Sequence, residues 1–130
     1  MVQEQRLSSV QTHSKLILLV EDDTIMEEFL MLAITDETPY QVMAVHDGFE
    51  ALNVVKEIKP QLFLLDYLLP GMTGLELYDQ LHAIKEVAET PTIMYSTNLP
   101  RIELQKRHIT GLYKPFDLDE LLSTIERLLT

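Results

Sequence analysis

Residues 16–23 read LILLVEDD, five apolar residues closed by three acidic ones. A short run that is apolar at every position is typical of a strand buried on both faces, as in a parallel sheet covered by helices. From Thr24 the apolar residues recur at steps of three and four, which predicts an amphipathic helix carrying Ile25, Phe29, Leu32 and Ala33. The stretch therefore predicts a buried strand, an acidic turn and a helix in succession.

The same unit of strand and helix recurs along the rest of the chain. The other predicted strands cover Tyr40–Val45, Leu62–Leu65, Thr92–Tyr95 and Leu112–Tyr113. The other predicted helices cover Phe49–Ile58, Leu75–Ile84, Arg101–His108 and Leu118–Leu129. Apolar strands that alternate with helices imply an α/β fold, in which a parallel sheet is covered on both faces. Such sheets bind their ligands beyond the carboxyl ends of the strands.

Length and composition indicate one domain of ordinary size. The chain has 130 residues, of which 46% are hydrophobic, and this suffices for one core. It has no cysteine, which excludes disulfides, iron–sulfur clusters, thiolate zinc sites and a cysteine nucleophile. Its 10 Lys and Arg against 21 Asp and Glu give a formal net charge of −11. This charge argues against direct binding of nucleic acid or of an anionic membrane.

Residues 1–14 are predicted to be a flexible tail ahead of a domain that spans residues 15–130. The tail is polar, has no periodic apolar pattern and lacks the apolar stretch of a signal peptide. Nowhere does the chain contain the run of about 20 apolar residues that a membrane-spanning helix needs. We therefore expect no membrane insertion and a cytoplasmic location.

Polar side chains follow the predicted strands at the edge where an α/β sheet binds its ligands. Glu21 and Asp22 end the first strand, Asp66 the third and Ser96 the fourth, and Lys114 comes just after the fifth. Carboxylates gathered in one crevice repel one another, so a cation is expected between them, and oxygen ligands favour Mg²⁺ over Zn²⁺. With a lysine and a hydroxyl nearby, such a site suits phosphoryl transfer, and one carboxylate can become an aspartyl phosphate.

Four of these residues also have a plainer interpretation. Asp22 could belong to a helix cap, and Asp66 could be a turn residue. Ser96 could be an ordinary hydroxyl at a strand end, and Lys114 could be a solvated surface charge. The functional interpretation is favoured because all of them fall at strand ends along one predicted edge of the sheet.

Four stretches carry a resemblance to a known family. They are LILLVEDD at 16–23, LFLLDYLLPGMTGLEL at 62–77, PTIMYST at 91–97 and YKPF at 113–116. In this order and at strand ends, they make the chain similar to the receiver domain of two-component response regulators. The resemblance covers about residues 15–130. It implies a flavodoxin-like, doubly wound sheet of five parallel strands in the order 2-1-3-4-5.

The resemblance implies that Asp66 is the phosphoacceptor and that Mg²⁺ binds beside it. Asp22 and Asp66 would ligate the ion directly, and Glu21 would act through water. Leu68, two residues past Asp66, would supply its backbone carbonyl. The implied metal set is therefore Glu21, Asp22, Asp66 and Leu68.

Ser96 and Lys114 match the hydroxyl and the lysine that contact the phosphoryl group in this family, and the Lys114–Pro115 bond matches its cis peptide. The implied function is a signalling domain that accepts a phosphoryl group from a histidine kinase or a histidine phosphotransfer protein. Phosphorylation would then switch the binding of a downstream protein partner. The domain would catalyse only its own phosphoryl transfer and dephosphorylation, so it is not expected to be an enzyme for other substrates.

The sequence departs from the family pattern between the fourth strand and Lys114. Gly111 stands where the family has an aromatic residue, three positions before the lysine, and the segment from Ser96 to Lys114 is shorter than usual. Pro100 prevents a helix from continuing through it, so we expect the fourth helix to be short, shifted or replaced by a loop. These departures keep one alternative open, a pseudo-receiver that acts as a constitutive protein-interaction domain.

Two other classes fit the residues less well. A Mg²⁺-dependent phosphatase with an aspartate nucleophile would need an acid–base aspartate two residues after Asp66, where this chain has Leu68. A flavin carrier would need a phosphate cradle after the first strand, where this chain is acidic. The sequence holds no output domain after Thr130, so a complete chain would resemble a stand-alone receiver, whereas in a chain cut from a longer protein the output would lie elsewhere.

Overall fold

The computed structural model describes residues 14–130, and residues 1–13 of the predicted tail lie outside the described residues. Five strands form one parallel sheet: β1 Leu16–Val20, β2 Gln41–Val45, β3 Leu62–Asp66, β4 Thr92–Ser96 and β5 Thr110–Tyr113. Their spatial order is β2-β1-β3-β4-β5, which confirms the predicted doubly wound sheet. In this order the winding reverses between β1 and β3, and the crevice at that point is where such sheets bind ligands.

Helices cover both faces of the sheet. They are α1 Thr24–Glu37, α2 Gly48–Val54, α3 Gly74–His82, α4 Arg101–Arg107 and α5 Leu118–Leu129, with one 3₁₀ turn at Lys85–Val87. Four of them begin at a side chain that accepts hydrogen bonds from the first turn, namely Asp23, Asp47, Thr73 and Asp117. Between β3 and α3 the chain forms a short antiparallel hairpin of Leu68–Leu69 with Met72–Thr73.

Alternation along the strands divides the core into two layers. Leu18 and Phe63 point to one face of the sheet, where they share a cluster with residues of α2 and α3. Leu19 and Leu64 point to the other face and share a cluster with residues of α1 and α5. All four side chains are fully buried. Both faces of the sheet are therefore covered, as the continuous apolar runs predicted.

The apolar stripe that predicted α1 does not face the core. Ile25, Phe29 and Leu32 are 78%, 52% and 62% exposed, whereas Leu30 and Ile34 of the same helix are fully buried. The helix carries apolar residues on more than one side, so its periodicity is compatible with two orientations. Packing against the sheet selects the face with Leu30 and Ile34 and leaves the other face in solvent.

Several element boundaries also differ from the prediction, and two of them have a clear cause. α2 ends at Val54 rather than at Ile58, because the chain turns there through hydrogen bonds such as that from the N–H of Glu57 to the carbonyl of Val54. β5 begins at Thr110 rather than at Leu112, because Thr110 pairs with Ile93 of β4. In both cases hydrogen bonding between backbone groups overrides the local apolar pattern.

The fourth helix is short, as expected. α4 has 7 residues, follows Pro100 directly and ends at His108, whose φ of 58° places it in the left-handed region. A left-handed residue is a common way to end a helix, because it turns the chain away from the helix axis. At 14 residues α1 is the longest of the described helices, and none of them is long and apolar enough to cross a membrane.

Candidate functional site

The strand ends bring the residues predicted for the site to one edge of the sheet. Glu21 and Asp22 follow β1, Asp66 ends β3, Ser96 ends β4 and Lys114 follows β5. The parallel pairing of β1 with β3, of β3 with β4 and of β4 with β5 sets these ends side by side. A 2.8 Å hydrogen bond from the N–H of Lys114 to the carbonyl of Ser96 continues the pairing beyond the end of β5.

Three carboxyl groups form an acidic cluster, which we define as Glu21, Asp22 and Asp66. Each offers a carboxylate oxygen, and these oxygens lie within 4.8 Å of one another. Glu21 and Asp66 are buried, while Asp22 is exposed at the mouth of the crevice. Buried like charges this close destabilise one another, so the acidic cluster is a set of donors suited to a hard divalent cation.

Burial, and after it the negative charge of Glu21, raise the pKa of the Asp66 carboxyl from 3.8 to about 6. The backbone N–H of Leu68 and the positive charge of Lys114 act in the opposite sense without cancelling the effect. A cation beside Asp66 would offset both burial and repulsion. The residues present therefore fit a bound Mg²⁺.

The loop after β3 holds the Asp66 carboxylate in place. The N–H of Leu68 donates a 3.1 Å hydrogen bond to Asp66 Oδ1, and the Leu68 side chain itself is exposed. At Gly74 the backbone passes so close to β3 that an added Cβ would lie 2.8 Å from the carbonyl oxygen of Asp66. Glycine is therefore required there, since any side chain would push the loop away from the phosphoacceptor candidate.

Ser96 and Lys114 border the acidic cluster on the side of β4 and β5. Ser96 is buried, and its Oγ lies 3.5 Å from the N–H of Asn98, at the limit of a hydrogen bond. Lys114 is partly buried, and the peptide bond that joins it to Pro115 is cis, as expected. The hydroxyl and the ammonium group are thus available at the same edge as the three carboxylates.

Tyr95 is a site residue that the sequence analysis did not identify. Its hydroxyl donates a 2.6 Å hydrogen bond to Oε1 of Glu21, and its ring is fully buried. Burial, together with the charge of Glu21, raises the pKa of the Tyr95 hydroxyl well above its usual range, so the group remains a donor. An aromatic residue inside an apolar strand is ordinarily a core residue; its position directly before Ser96 was the available signal.

The region around Gly111 is built without an inward-facing aromatic residue. A Cβ at Gly111 would lie 2.9 Å from Cδ2 of Leu104 and 3.0 Å from Cδ1 of Leu99, so these leucines occupy the adjacent space. Tyr113, two residues after Gly111, is partly exposed, and Nε of Arg101 donates a 2.9 Å hydrogen bond to its hydroxyl. The guanidinium of Arg101 also lies 5.3 Å from the centre of the Tyr113 ring.

Comparison with known proteins identifies one family. The family model described as "Response regulator receiver domain" matches residues 17–126. The sporulation initiation phosphotransferase F of Bacillus subtilis is 29% identical over 114 residues, which cover 86% of this chain and 92% of that protein. The DNA-binding response regulator MtrA of Mycobacterium tuberculosis is 31% identical over 113 residues, which cover 84% of this chain. The match covers only 48% of MtrA, so the chain spans about half the length of that relative.

Solved structures give the same result. The chemotaxis response regulator CheY4 of Vibrio cholerae has a TM-score of 0.81 to this fold at 28% sequence identity. The superposition covers 89% of this chain and 99% of that one. The family match extends from β1 into α5 and so includes every residue of the candidate site from Glu21 to Lys114.

Proposed function

Because the chain belongs to the response regulator receiver domain family, we propose that it is a phosphorylation-controlled signalling domain with Asp66 as its phosphoacceptor. The phosphoryl group comes from a histidine kinase or a histidine phosphotransfer protein, and phosphorylation alters the binding of a downstream protein. The domain occupies residues 15–130 behind a tail of residues 1–14. A cytoplasmic location belongs to the same proposal.

The observation that supports this function best is the acidic cluster beside Ser96 and Lys114. Three carboxylates within 4.8 Å of one another, two of them buried, are unfavourable for folding alone. A purely structural strand edge does not require such a cluster. Phosphoryl transfer does require it, since a carboxylate nucleophile and the ligands of a counter-cation must lie together.

In the proposed site, Asp22 and Asp66 would bind Mg²⁺ directly, the backbone carbonyl of Leu68 would add a ligand and Glu21 would act through water. Carboxylate and carbonyl oxygens are the ligands that this ion prefers. When bound, Mg²⁺ supplies positive charge that offsets the repulsion between the carboxylates and an anionic phosphoryl group. The ammonium group of Lys114 adds a second positive charge at the same edge.

In the proposed reaction, an Asp66 oxygen attacks the phosphorus of a phosphohistidine, the P–N bond breaks, and the departing imidazole takes up a proton. The product is an aspartyl phosphate. The hydroxyl of Ser96 and the ammonium group of Lys114 donate hydrogen bonds to its phosphoryl oxygens and stabilise their charge. Attack by water on phosphorus later releases inorganic phosphate and restores the Asp66 carboxylate.

Exposed apolar side chains around the crevice support the proposal that the phosphodonor is a protein. Ile25 lies three residues after Asp22 and Leu68 lies two residues after Asp66, and both side chains are more than half exposed. Phe49, at the start of α2, is also more than half exposed. Apolar groups gathered around a charged crevice are typical of a surface that binds another protein.

The alternative is a pseudo-receiver, and the packing around Gly111 is the observation in its favour. Leu99 and Leu104 fill the space that an inward-turning aromatic residue would need. A domain without that movement could bind its partner constitutively. The two functions differ in whether Asp66 accepts a phosphoryl group.

Intact mass after incubation with Mg²⁺ and acetyl phosphate tests the proposal. We expect the wild-type protein to gain the mass of one phosphoryl group and Asp66→Asn to gain none. Asp36→Asn is the matched control, because Asp36 is an exposed carboxylate near the end of α1. Wild-type protein that gains no phosphoryl group and does not bind Mg²⁺ would refute the proposal and favour the pseudo-receiver.

A further inference from the structure

Tyr95 occupies a special place relative to the acidic cluster. It pairs with Asp66 across β3 and β4, while Val20 pairs with Leu65 across β1 and β3. Glu21, directly after β1, therefore lies at the same level as Asp66 on β3 and Tyr95 on β4. The Tyr95 side chain is fully buried and reaches past β3 to the residue that follows β1.

The hydroxyl of Tyr95 fixes the carboxylate of Glu21. It donates a 2.6 Å hydrogen bond to Oε1 of Glu21, while the N–H of Asp23 donates a 3.0 Å hydrogen bond to Oε2. Both oxygens of this buried carboxylate thus have a fixed donor, and together they determine its orientation. Without the hydroxyl, Oε1 would lose its donor in a buried position, which is unfavourable.

The ring of Tyr95 supports the lysine on the opposite side of the crevice. Nζ of Lys114 lies 5.2 Å from the centre of the ring, a distance at which an ammonium group is attracted to an aromatic face. The ring of Phe116 packs against the same ring edge to face, with 6.0 Å between centres. The segment around Lys114 is therefore positioned against Tyr95.

We propose that Tyr95 is a positioning residue that connects the two halves of the phosphorylation site, an inference that rests on the proposed function. Its hydroxyl orients Glu21 on the Mg²⁺ side, and its ring holds Lys114 on the phosphoryl side. Removing the hydrogen-bond partner of a metal-binding side chain commonly lowers metal affinity by about 10- to 100-fold. The two contacts use different parts of one side chain, so separate substitutions can remove them.

Tyr95→Phe removes the hydroxyl and keeps the ring. We expect the Mg²⁺ affinity of the unphosphorylated protein, measured by isothermal titration calorimetry, to fall about tenfold. The rate of phosphorylation by acetyl phosphate should return to nearly the wild-type value at saturating Mg²⁺, since Lys114 keeps its contact with the ring. Tyr40→Phe is the matched control, because the Tyr40 hydroxyl donates a 2.9 Å hydrogen bond to Glu126 far from the site.

Tyr95→Leu removes both the hydroxyl and the ring. We expect it to share the weakened Mg²⁺ binding of Tyr95→Phe and, in addition, to lower the phosphorylation rate at saturating Mg²⁺ about threefold. Tyr95→Met replaces it if the leucine variant does not fold, because methionine is flexible enough to fill the same core space. Circular dichroism and thermal unfolding establish that each variant is folded before it is assayed.

The outcomes separate this inference from the proposed function. Wild-type protein that neither binds Mg²⁺ nor accepts a phosphoryl group would refute the proposed function, and the inference with it. If the wild-type protein instead binds Mg²⁺ and accepts a phosphoryl group, a Mg²⁺ affinity of Tyr95→Phe within twofold of that of Tyr40→Phe would overturn only the role of the hydroxyl. Equal saturated rates for Tyr95→Phe and the variant without the ring would overturn only the role of the ring.

Discussion

The raised pKa of Asp66 predicts that replacing this residue stabilises the Mg²⁺-free protein. The carboxyl has a pKa of about 6 in the folded chain against an ordinary value of 3.8. The folded state therefore binds a proton more tightly than the unfolded state, and ionisation above pH 6 opposes folding. The full difference corresponds to about 3 kcal/mol, and screening by solvent in the open crevice reduces it to about 1–3 kcal/mol.

Urea unfolding across a range of pH measures this effect. For the wild-type protein without Mg²⁺, the contribution of Asp66 to the free energy of unfolding should fall as the pH rises from about 4 to about 6 and then stay constant. Asp66→Asn lacks this decline, so at pH 7.5 it should be more stable than wild type by about 1–3 kcal/mol. Asp36→Asn, which replaces an exposed carboxylate, should behave as wild type.

Addition of Mg²⁺ should remove the extra stability that Asp66→Asn has over the wild-type protein. At a concentration one hundred times its dissociation constant, a ligand that binds only the folded state adds about 2.7 kcal/mol to stability. The wild-type protein should gain this amount, and Asp66→Asn should gain less because it lacks one ligand. The reasoning is refuted if Asp66→Asn is no more stable than wild type at pH 7.5 without Mg²⁺, or if Mg²⁺ stabilises both proteins equally.

Three further predictions concern Leu68, Gly111 and the ion pair of Arg107. Replacing Leu68 by Asn or Glu should change the rate at which the aspartyl phosphate loses phosphate, because we expect the exposed Leu68 side chain, together with Asn98, to flank the approach of water; unchanged decay kinetics would contradict this. Gly111→Ala should lower the free energy of unfolding by about 1–3 kcal/mol, because its Cβ would meet Leu104 at 2.9 Å, and urea midpoints equal to wild type would show that the leucine yields. Arg107→Ala should cost about 1 kcal/mol at low ionic strength and less in high salt, because Arg107 forms a two-pronged ion pair with Asp79 between α4 and α3. If the decrease in the free energy of unfolding does not depend on salt, it arises from lost packing rather than from the ion pair.

The sequence predicted the sheet well because each central strand is apolar on both faces and ends in a polar residue. LILLV before Glu21 and LFLL before Asp66 leave little choice other than buried parallel strands. The order of the strands then places both carboxylates at one edge without further information. The location of the acidic cluster could therefore be predicted from strand ends alone, although the distances within it could not.

Helix faces were less predictable than strand ends. In α1, apolar residues repeat at helical spacing along two stripes, one with Ile25 and Phe29 and one with Leu30 and Ile34. Periodicity identifies the helix but does not choose between the stripes, since either could cover the sheet. The choice depends on the direction in which the chain leaves β1, which is a property of the assembled fold.

The role of Tyr95 at the site could not be predicted from its own strand, but it could be predicted once the order of the strands is known. Side chains alternate along a strand, so Tyr95 lies on the face of the sheet opposite to Met94 and on the same face as Ile93 and Leu19. Glu21 follows Leu19 by two residues and shares that face. β1 and β4 are separated only by β3, about 10 Å in all, and an extended tyrosine together with an extended glutamate spans that distance. Once the strand order is known, a polar aromatic residue at this level is therefore expected to reach the acidic cluster. An aliphatic residue at the same position would leave the carboxylate of Glu21 without this hydrogen-bond donor.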